Sequence, residues 1–377
     1  MRISILFQFL LFTTIALGQI NQKGLPLVRN FEPEEYDASD QNWSAVQDHR
    51  GLMYFGNNDQ GVLEYDGKTW RKIPVPKNAL VRSLAVDSLG MIYVGIIGDF
   101  GCLVPNKSGN LEFKSLLNLV TDTVGVFSDI YKIHCFNDKV YFFNRHFIFI
   151  YDGAEVDVIE INPDRKYYNF LSFYINNRYY VGSWMYGLRE LVDTTMTIAP
   201  NGEFFREKDV ISMLPYKGNW VDVVTSSGLY RYNQNSGEVI DLTQNSNFYE
   251  KALDDAHPYH ALRLTDSTLG VAYIVGQKYS FAQIDTLTNP IRVLNKNNSL
   301  LDETVTYSYQ PNYNDEPSAV WLPLNVGISR ADIHSQIGRF SEESGIRGGI
   351  LSITEYNETL FVLTMSGVFY QDFDEDG

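Results

Sequence analysis

The strongest constraint on this chain is a repeated unit of short strands and turns with a period of about 44 residues. The unit is clearest at residues 42–70, NWSAVQDHRGLMYFGNNDQGVLEYDGKTW. It contains the tight turn Asp48–Gly51, the apolar run Leu52–Phe55, a strand at Val62–Tyr65 and the hairpin signal Asp66-Gly67. Several short strands repeated at this interval predict the four-stranded blades of an all-β propeller.

Eight copies of the unit are recognised by the centre of the second strand, which falls at Tyr54, Tyr93, Tyr141, Tyr180, Val223, Ala272, Trp321 and Phe361. The copies near Tyr141 and Ala272 are degenerate. An aromatic-apolar-Gly sequence ends the second strand at Gly56, Gly95 and Gly182. A β-sandwich is the alternative all-β interpretation, but a sandwich needs no fixed period of this size.

Eight sets of strands allow two ways of closing the ring. In the first, residues 42–347 form a seven-bladed propeller and residues 348–377 begin a second one; the isolated chain is then expected to aggregate or to form a homodimer through that end. In the second, a closing strand within residues 19–41, at Leu25–Tyr36, completes a single eight-bladed ring. We expect the seven-bladed arrangement.

Composition and the N-terminus indicate the compartment. A net charge of −16 disfavours nucleic acid as a partner, and an aromatic content of 14% suits strands better than helices. A basic start is followed by the uncharged run Ile3–Gly18, which ends in small residues. This pattern predicts a cleaved signal peptide at residues 1–18 and a periplasmic or extracellular protein; the alternative is an uncleaved anchor.

The sequence holds no recognisable catalytic motif, and we expect no catalytic residue, metal or cofactor. His257 and His260 are closely spaced, but an inter-blade or loop hydrogen-bonding role is favoured over a metal site. The acidic run Asp372–Gly377 fits only the first half of a calcium loop. Cys102 and Cys135 lie in neighbouring repeats, and two buried free thiols are favoured over a disulfide.

The repeat resembles the regulator-propeller repeat of bacterial two-component sensors, in which D-x-x-G precedes an apolar-aromatic strand and then G-L-x-x-Y. Residues 42–70 are especially similar to the first blade of such periplasmic sensor regions, and the resemblance covers about residues 25–377. It implies two propellers of seven blades, a small β-domain, a membrane span and a cytoplasmic output module. It also implies sensing of an extracellular ligand, often a glycan fragment. The small β-domain, the membrane span and the output module are not found in this sequence, so membrane contact is expected only through a missing C-terminal region.

The connections between strands predict where a ligand binds. Tight turns join the first strand to the second and the third to the fourth, whereas long or varied loops lie at the other ends. Varied loops on a rigid scaffold commonly carry function. Expected ligand-binding residues in the varied turns are Asn57, Asn58, Asp59, Asp99, Phe100, Arg145, His146, Trp184 and Tyr186. Trp184 and Tyr186 could stack on a sugar face; the alternative is that they pack against the next blade.

These observations favour an exported, ligand-sensing propeller of a signal-transduction receptor that binds a small molecule or oligosaccharide, with carbohydrate as the first-choice ligand class. One alternative is a propeller-fold enzyme that degrades glycans, which would need two carboxylates flanking the scissile bond. Another is an adhesion or assembly scaffold that uses the same face.

Overall fold

The computed structural model describes residues 24–370 except 121–123, 163–168, 246, 277, 286–289, 314–315, 318, 341–344 and 358. The expected signal peptide and the acidic run at the C-terminus therefore lie outside the described residues. The chain forms two compact units, residues 26–336 and residues 1–25 with 337–377. Among the described residues, no helix has the length and apolar character needed to cross a membrane.

The larger unit is a β-propeller with seven antiparallel sheets, and six of these sheets have four strands in sequence order. Blade 1 contains β2 (Asn42–Gln47), β3 (Met53–Asn57), β4 (Val62–Tyr65) and β5 (Trp70–Ile73). Blade 2 contains β6 (Val81–Val86), β7 (Ile92–Ile96), β8 (Asp99–Pro105) and β9 (Leu111–Ser115). Blade 3 contains β10 (Lys132–Phe136), β11 (Lys139–Phe143), β12 (Phe147–Tyr151) and β13 (Val156–Glu160).

The next three blades follow the same order. Blade 4 contains β14 (Asn169–Ile175), β15 (Arg178–Ser183), β16 (Gly187–Val192) and β17 (Thr195–Ile198). Blade 5 contains β18 (Val210–Pro215), β19 (Trp220–Thr225), β20 (Gly228–Asn233) and β21 (Val239–Asp241). Blade 6 contains β22 (His257–Thr265), β23 (Thr268–Ile274), β24 (Phe281–Asp285) and β25 (Pro290–Leu294). The repeats near Tyr141 and Ala272, degenerate in sequence, thus form complete blades.

Blade 7 is assembled from both ends of this unit. Its outer strand is β1 (Val28–Phe31), which pairs with β29 (Ile328–Ala331), and β29 pairs with β28 (Val320–Pro323). Residues 305–309 take the inner position through the bridges Val305–Leu324 and Tyr309–Trp321. The N-terminal strand therefore closes the seventh blade, and the eight-bladed alternative, in which it closes an eighth, is wrong.

Short elements connect the blades. The helices are α1 (Pro33–Tyr36) and α2 (Asn247–Asp255), and single 3₁₀ turns occur at Pro76–Asn78, Leu117–Leu119, Gly202–Phe205 and Thr243–Asn245. A short hairpin, with two residues in each strand, is formed by β26 (Asn312–Tyr313) and β27 (Glu316–Pro317). The smaller unit contains the three-stranded antiparallel sheet β30 (Ile350–Tyr356), β31 (Thr359–Thr364) and β32 (Gly367–Tyr370).

The repeated sequence motifs have direct structural causes. In the D-x-x-G turn of blade 1, Asp48 Oδ1 accepts hydrogen bonds from the backbone N–H groups of Arg50 and Leu52, and Asp87 makes the equivalent pair in blade 2. Gly95 is the last but one residue of β7 and lies where the next blade packs closely: an added Cβ would lie 2.7 Å from Ile130 Cβ. The motif therefore marks a contact between blades that has no room for a side chain.

Apolar side chains fill the spaces between neighbouring blades. One such cluster joins blade 7 to blade 1, where Phe31 stacks on Trp321 at a centroid distance of 5.6 Å and meets Tyr65 edge-on at 5.3 Å. Phe31 is fully buried. Both cysteines are free thiols, as expected; Cys102 is buried, whereas Cys135 is only half-buried. The core of the propeller is thus distributed between blades rather than concentrated at its centre.

Candidate ligand-binding site in the central channel

A β-bulge near the start of the inner strand recurs in five of the seven blades. In blades 1, 2 and 6 the register shift falls around Trp43, Arg82 and Tyr259. A bulge inserts one extra residue into a strand and re-aims its side chain. Here the three extra residues line one cavity at the centre of the ring.

The cavity has a volume of about 170 Å³. Its lining comes from inner strands of several blades and from one second-to-third-strand turn, and comprises Trp43, Ser44, Arg82, Ser83, Leu84, Tyr131, Lys132, Ile133, Arg145, Leu171, Tyr259, His260, Thr306 and Tyr307. Most of these residues lie near the start of an inner strand. That end of each blade carries the long and varied loops, so the cavity lies toward the face on which the sequence predicts a ligand site.

Arg82 connects two of the bulges. Its guanidinium lies over the Trp43 ring, 3.8 Å from the centroid, and its Nη2 donates a 2.6 Å hydrogen bond to Tyr259 Oη. A guanidinium stacked on indole keeps its in-plane N–H groups available as donors. The arrangement therefore presents a fixed, planar donor at the wall of the channel.

Two further cations line the cavity, and each approaches an aromatic ring. The Arg145 guanidinium lies 4.4 Å from the Tyr131 centroid, and Lys132 Nζ lies 4.9 Å from that of Tyr307. Loss of hydration, together with the nearby charge of Arg82, lowers the pKa of Lys132 to about 8. Aromatic faces beside polar donors are a combination that suits small-molecule and sugar binding.

Hydrogen bonds between inner strands hold the wall of the channel in place. Ser83 Oγ donates to the Ile130 carbonyl oxygen at 2.6 Å, linking blades 2 and 3. His134 Nε2 and Ser172 Oγ lie 3.0 Å apart between blades 3 and 4, and His260 Nδ1 and Ser308 Oγ lie 2.8 Å apart between blades 6 and 7. The inter-blade role expected of His260 is thereby confirmed.

His134 and His260 are both held in the neutral form. Burial, and then the charge of Lys132, lowers the pKa of His134 to about 3. The same causes place the pKa of His260 well below its ordinary value. The described residues contain no cluster of His, Cys, Asp or Glu suited to a metal ion. These imidazoles therefore serve as hydrogen-bonding partners that position the wall.

Of the nine residues expected from the sequence to bind a ligand, Arg145 lines the cavity. Asn58 is adjacent to it, because its Oδ1 lies 3.4 Å from Trp43 Nε1. Asp59 is exposed on the turn after β3, and Trp184 is 39% exposed on the turn after β15. Tyr186 lies under the Arg189 guanidinium, 5.8 Å from the ring centroid. His146 is half-buried with its ring edge-on to Phe147. Roles for these last four in binding stay predictions.

Three of the nine side chains, those of Asn57, Asp99 and Phe100, take part in the internal hydrogen bonding or packing of the propeller. Asn57 is fully buried, and its amide nitrogen donates to the carbonyl oxygen of Ser39 at 2.7 Å. Phe100 is fully buried in the apolar cluster between blades 2 and 3. Asp99 accepts hydrogen bonds from Ser115 Oγ and from the Phe100 backbone, and burial raises its pKa. The side chains of Asn57 and Phe100 do not reach the surface, and a role in ligand binding for these three residues stays a prediction.

Sequence reasoning missed most of the cavity, including Trp43, Arg82, Lys132 and Tyr259. A usable signal was nevertheless present: a serine follows the channel-facing position in Trp43-Ser44, Arg82-Ser83, Leu171-Ser172 and Tyr307-Ser308. Ser83, Ser172 and Ser308 each hydrogen-bond to a neighbouring blade, while the preceding residue varies. A small residue beside a variable one thus marks the inner-strand start in these four repeats.

Comparison with solved structures places the fold among β-propellers. The extracellular domain of BT3049 from B. thetaiotaomicron, described as a hybrid two-component system, matches with a TM-score of 0.64 and 15% identity over 89% of this chain and 46% of that one. The extracellular domain of BT4673 from the same organism, described as a one-component system, matches with a TM-score of 0.60 and 14% identity over 94% and 48%. The expected resemblance to sensor regions is thus confirmed at the level of fold.

The chain spans about half the length of those two structures. Virginiamycin B lyase from Staphylococcus aureus also matches, with a TM-score of 0.58 and 11% identity over 81% of this chain and 99% of that one. No protein-family model and no curated protein matches the amino-acid sequence. At these identities the comparisons establish the propeller fold alone.

Proposed function

We propose that this chain is an extracytoplasmic ligand-sensing propeller of a signal-transduction receptor and that its ligand binds at the central channel. The observation that carries the proposal is the convergence of Trp43, Arg82 and Tyr259 from bulged strands of three blades on one cavity. Convergent polar groups in an aromatic-lined pocket are the usual mark of a small-molecule site. The structural likeness to extracellular domains of bacterial signalling proteins supports the sensory role.

Carbohydrate is the ligand class that we propose first. Sugars present an apolar face that stacks on an aromatic ring and hydroxyl groups that accept or donate hydrogen bonds at its edge. The lining combines four aromatic side chains with Arg82, Lys132 and Arg145. It contains no carboxylate among the described residues, whereas glycoside hydrolysis by the usual mechanisms requires a pair of them. We therefore propose binding without turnover.

The test is incubation of the purified protein with a panel of oligosaccharides, followed by isothermal titration calorimetry and analysis of the products. Saturable binding with no product is the expected result. Release of shorter sugars would overturn the proposal in favour of the enzymatic alternative. No binding to any sugar would remove the carbohydrate assignment.

Two variants locate the site for any ligand that binds. Trp43→Ala should weaken binding about 5- to 150-fold, which corresponds to about 1–3 kcal/mol for an aromatic anchor. The double variant Trp184→Ala/Tyr186→Ala tests the loop site expected from the sequence. If the double variant loses the ligand and Trp43→Ala retains it, the site lies on the blade 4 turn and not in the channel.

A further inference from the structure

The channel concentrates positive charge in a strongly acidic protein. The chain carries 46 acidic and 30 basic residues, yet the cavity lining contains three cations and, among the described residues, no carboxylate. Burial raises the pKa of Tyr131 and of Tyr259, and the charge of Asp129 raises both further. Burial and the charge of Arg82 lower the pKa of Lys132, so its surroundings disfavour the ammonium rather than neutralise it.

Arg82 and Lys132 are the two cations that matter most. Within the described part of the chain, neither of them forms an ion pair with a carboxylate. Arg82 uses one of its five N–H groups on Tyr259 and one face on Trp43. Lys132 contacts the face of Tyr307, which accepts no conventional hydrogen bond from the ammonium. Both side chains therefore keep N–H donors for a ligand.

The positive charges of Arg82 and Lys132 also destabilise each other in the ligand-free channel. Like charges in a partly desolvated channel repel, and an oxyanion placed between them would convert that repulsion into attraction. A planar guanidinium and an ammonium together can bind both oxygens of a carboxylate or two oxygens of a sulfate. A neutral sugar would leave both cations unpaired.

We propose that the channel recognises the oxyanion, carboxylate or sulfate, of an acidic sugar and that Arg82 and Lys132 bind it directly. This inference rests on the proposed function, which it narrows from carbohydrates in general to anionic ones. In this arrangement the Trp43 and Tyr307 rings form aromatic walls beside the oxyanion. Arg82 supplies directional hydrogen bonds and Lys132 supplies charge.

The experiment compares matched acidic and neutral probes at pH 7 and constant ionic strength. The probes are D-galacturonate and its disaccharide, galactose 6-sulfate, galactose, and inorganic sulfate. Each is titrated calorimetrically into the full chain, into Lys132→Met and into the control Lys139→Met, which removes an exposed lysine at the opposite end of blade 3. Arg82→Lys serves as a third variant, which keeps the charge and loses the planar fork.

At least one acidic sugar should bind at least tenfold more tightly than galactose, and Lys132→Met should remove most of that difference while Lys139→Met leaves it unchanged. Arg82→Lys should weaken binding of the acidic probe, because the ammonium keeps the charge but lacks the planar fork of donors. Acidic and neutral sugars binding equally, with no effect of Lys132→Met, would overturn this inference and leave carbohydrate binding intact.

The remaining outcomes are equally decisive. An acidic sugar that binds Lys132→Met as tightly as the original protein overturns the assignment to the channel. If no sugar binds but sulfate raises the melting temperature of the original protein and not of Lys132→Met, the oxyanion site stands and the carbohydrate proposal fails. If neither sugars nor sulfate bind, the inference is wrong.

Discussion

At the scale of single residues, Lys132 links the stability of the empty propeller to its binding chemistry. Its pKa of about 8 in the folded protein lies below the ordinary value of 10.5. A lysine whose pKa is lowered by folding destabilises the folded state, and this destabilisation is full well below pH 8. It shrinks as the pH rises from about 8 toward 10.5, and it is gone above 10.5 because neither the folded nor the unfolded form then carries the charge.

The prediction is that Lys132→Met stabilises the ligand-free protein at pH 7 by about 1–2 kcal/mol. The full pKa difference corresponds to about 3 kcal/mol, which partial exposure and the lost contact with Tyr307 reduce. Urea denaturation at pH 7 and at pH 10 is the measurement, and the gain should shrink at the higher pH. A variant that is less stable than the original at pH 7 would contradict the prediction.

At the scale of strands and turns, the aromatic-apolar-Gly motif is a packing device. Gly95 has an ordinary backbone conformation, but an added Cβ would lie 2.7 Å from Ile130 Cβ and closer still to Ser83 Oγ. Gly95→Ala should therefore destabilise the propeller by about 1–3 kcal/mol through overpacking. The matched control is Gly349→Ala in the smaller unit, where the nearest atom, Met365 Sδ, is 3.8 Å away.

Chemical denaturation of both variants measures this difference. The control should change stability by less than about 0.5 kcal/mol, as is usual for substitutions outside packed regions. Equal effects at Gly95 and Gly349 would show that the motif reflects backbone preference and not the contact between blades.

Strands and turns also differ in how well they could be predicted from the sequence. All eight predicted strand centres, from Tyr54 to Phe361, lie in second strands, because alternation and turn residues are local signals. The bulges at Trp43, Arg82 and Tyr259 were not predicted, since a one-residue insertion leaves the apolar pattern almost unchanged. The pairing of β1 with β29 was also open, because local sequence does not record which distant edge a strand meets.

In the candidate site, too, local features could be predicted from the sequence and long-range ones could not. Arg145, which lines the cavity, was singled out because it lies in a varied turn and turns are recognisable from sequence; its role in binding stays a prediction. Lys132 was missed because a charged residue within a strand looks like a solvated position until the ring brings seven inner strands together. Phe100 is buried between blades, which its sequence position did not reveal, because a turn-adjacent aromatic side chain is equally suited to a loop surface and to a core.

At the scale of the whole molecule, residues 26–336 complete a ring without the sheet β30–β32. That sheet exposes apolar side chains, among them Leu351 at 63%, Ile353 at 57% and Val368 at 63%. Contiguous exposed apolar surface favours association. Deleting residues 348–377 should leave a propeller that unfolds cooperatively and should reduce self-association of the full chain.

Size-exclusion chromatography with light scattering, together with thermal unfolding, tests this deletion. Loss of cooperative unfolding would show that the propeller depends on the deleted sheet. An unchanged tendency of the shortened protein to self-associate would place the contact elsewhere on the molecule.

The pairing of β1 with β29 also determines when the ring can close during biosynthesis. Val28 must find Ala331, a partner that the ribosome adds about 300 residues later. At about 5–20 residues per second, roughly 15–60 s pass before that partner exists. During this interval β1 has an unpaired edge, and Phe31 lacks Trp321, the ring on which it stacks in the folded protein. The first strand to be synthesised is therefore among the last to find its place, and the final closure of the ring is expected to be slow.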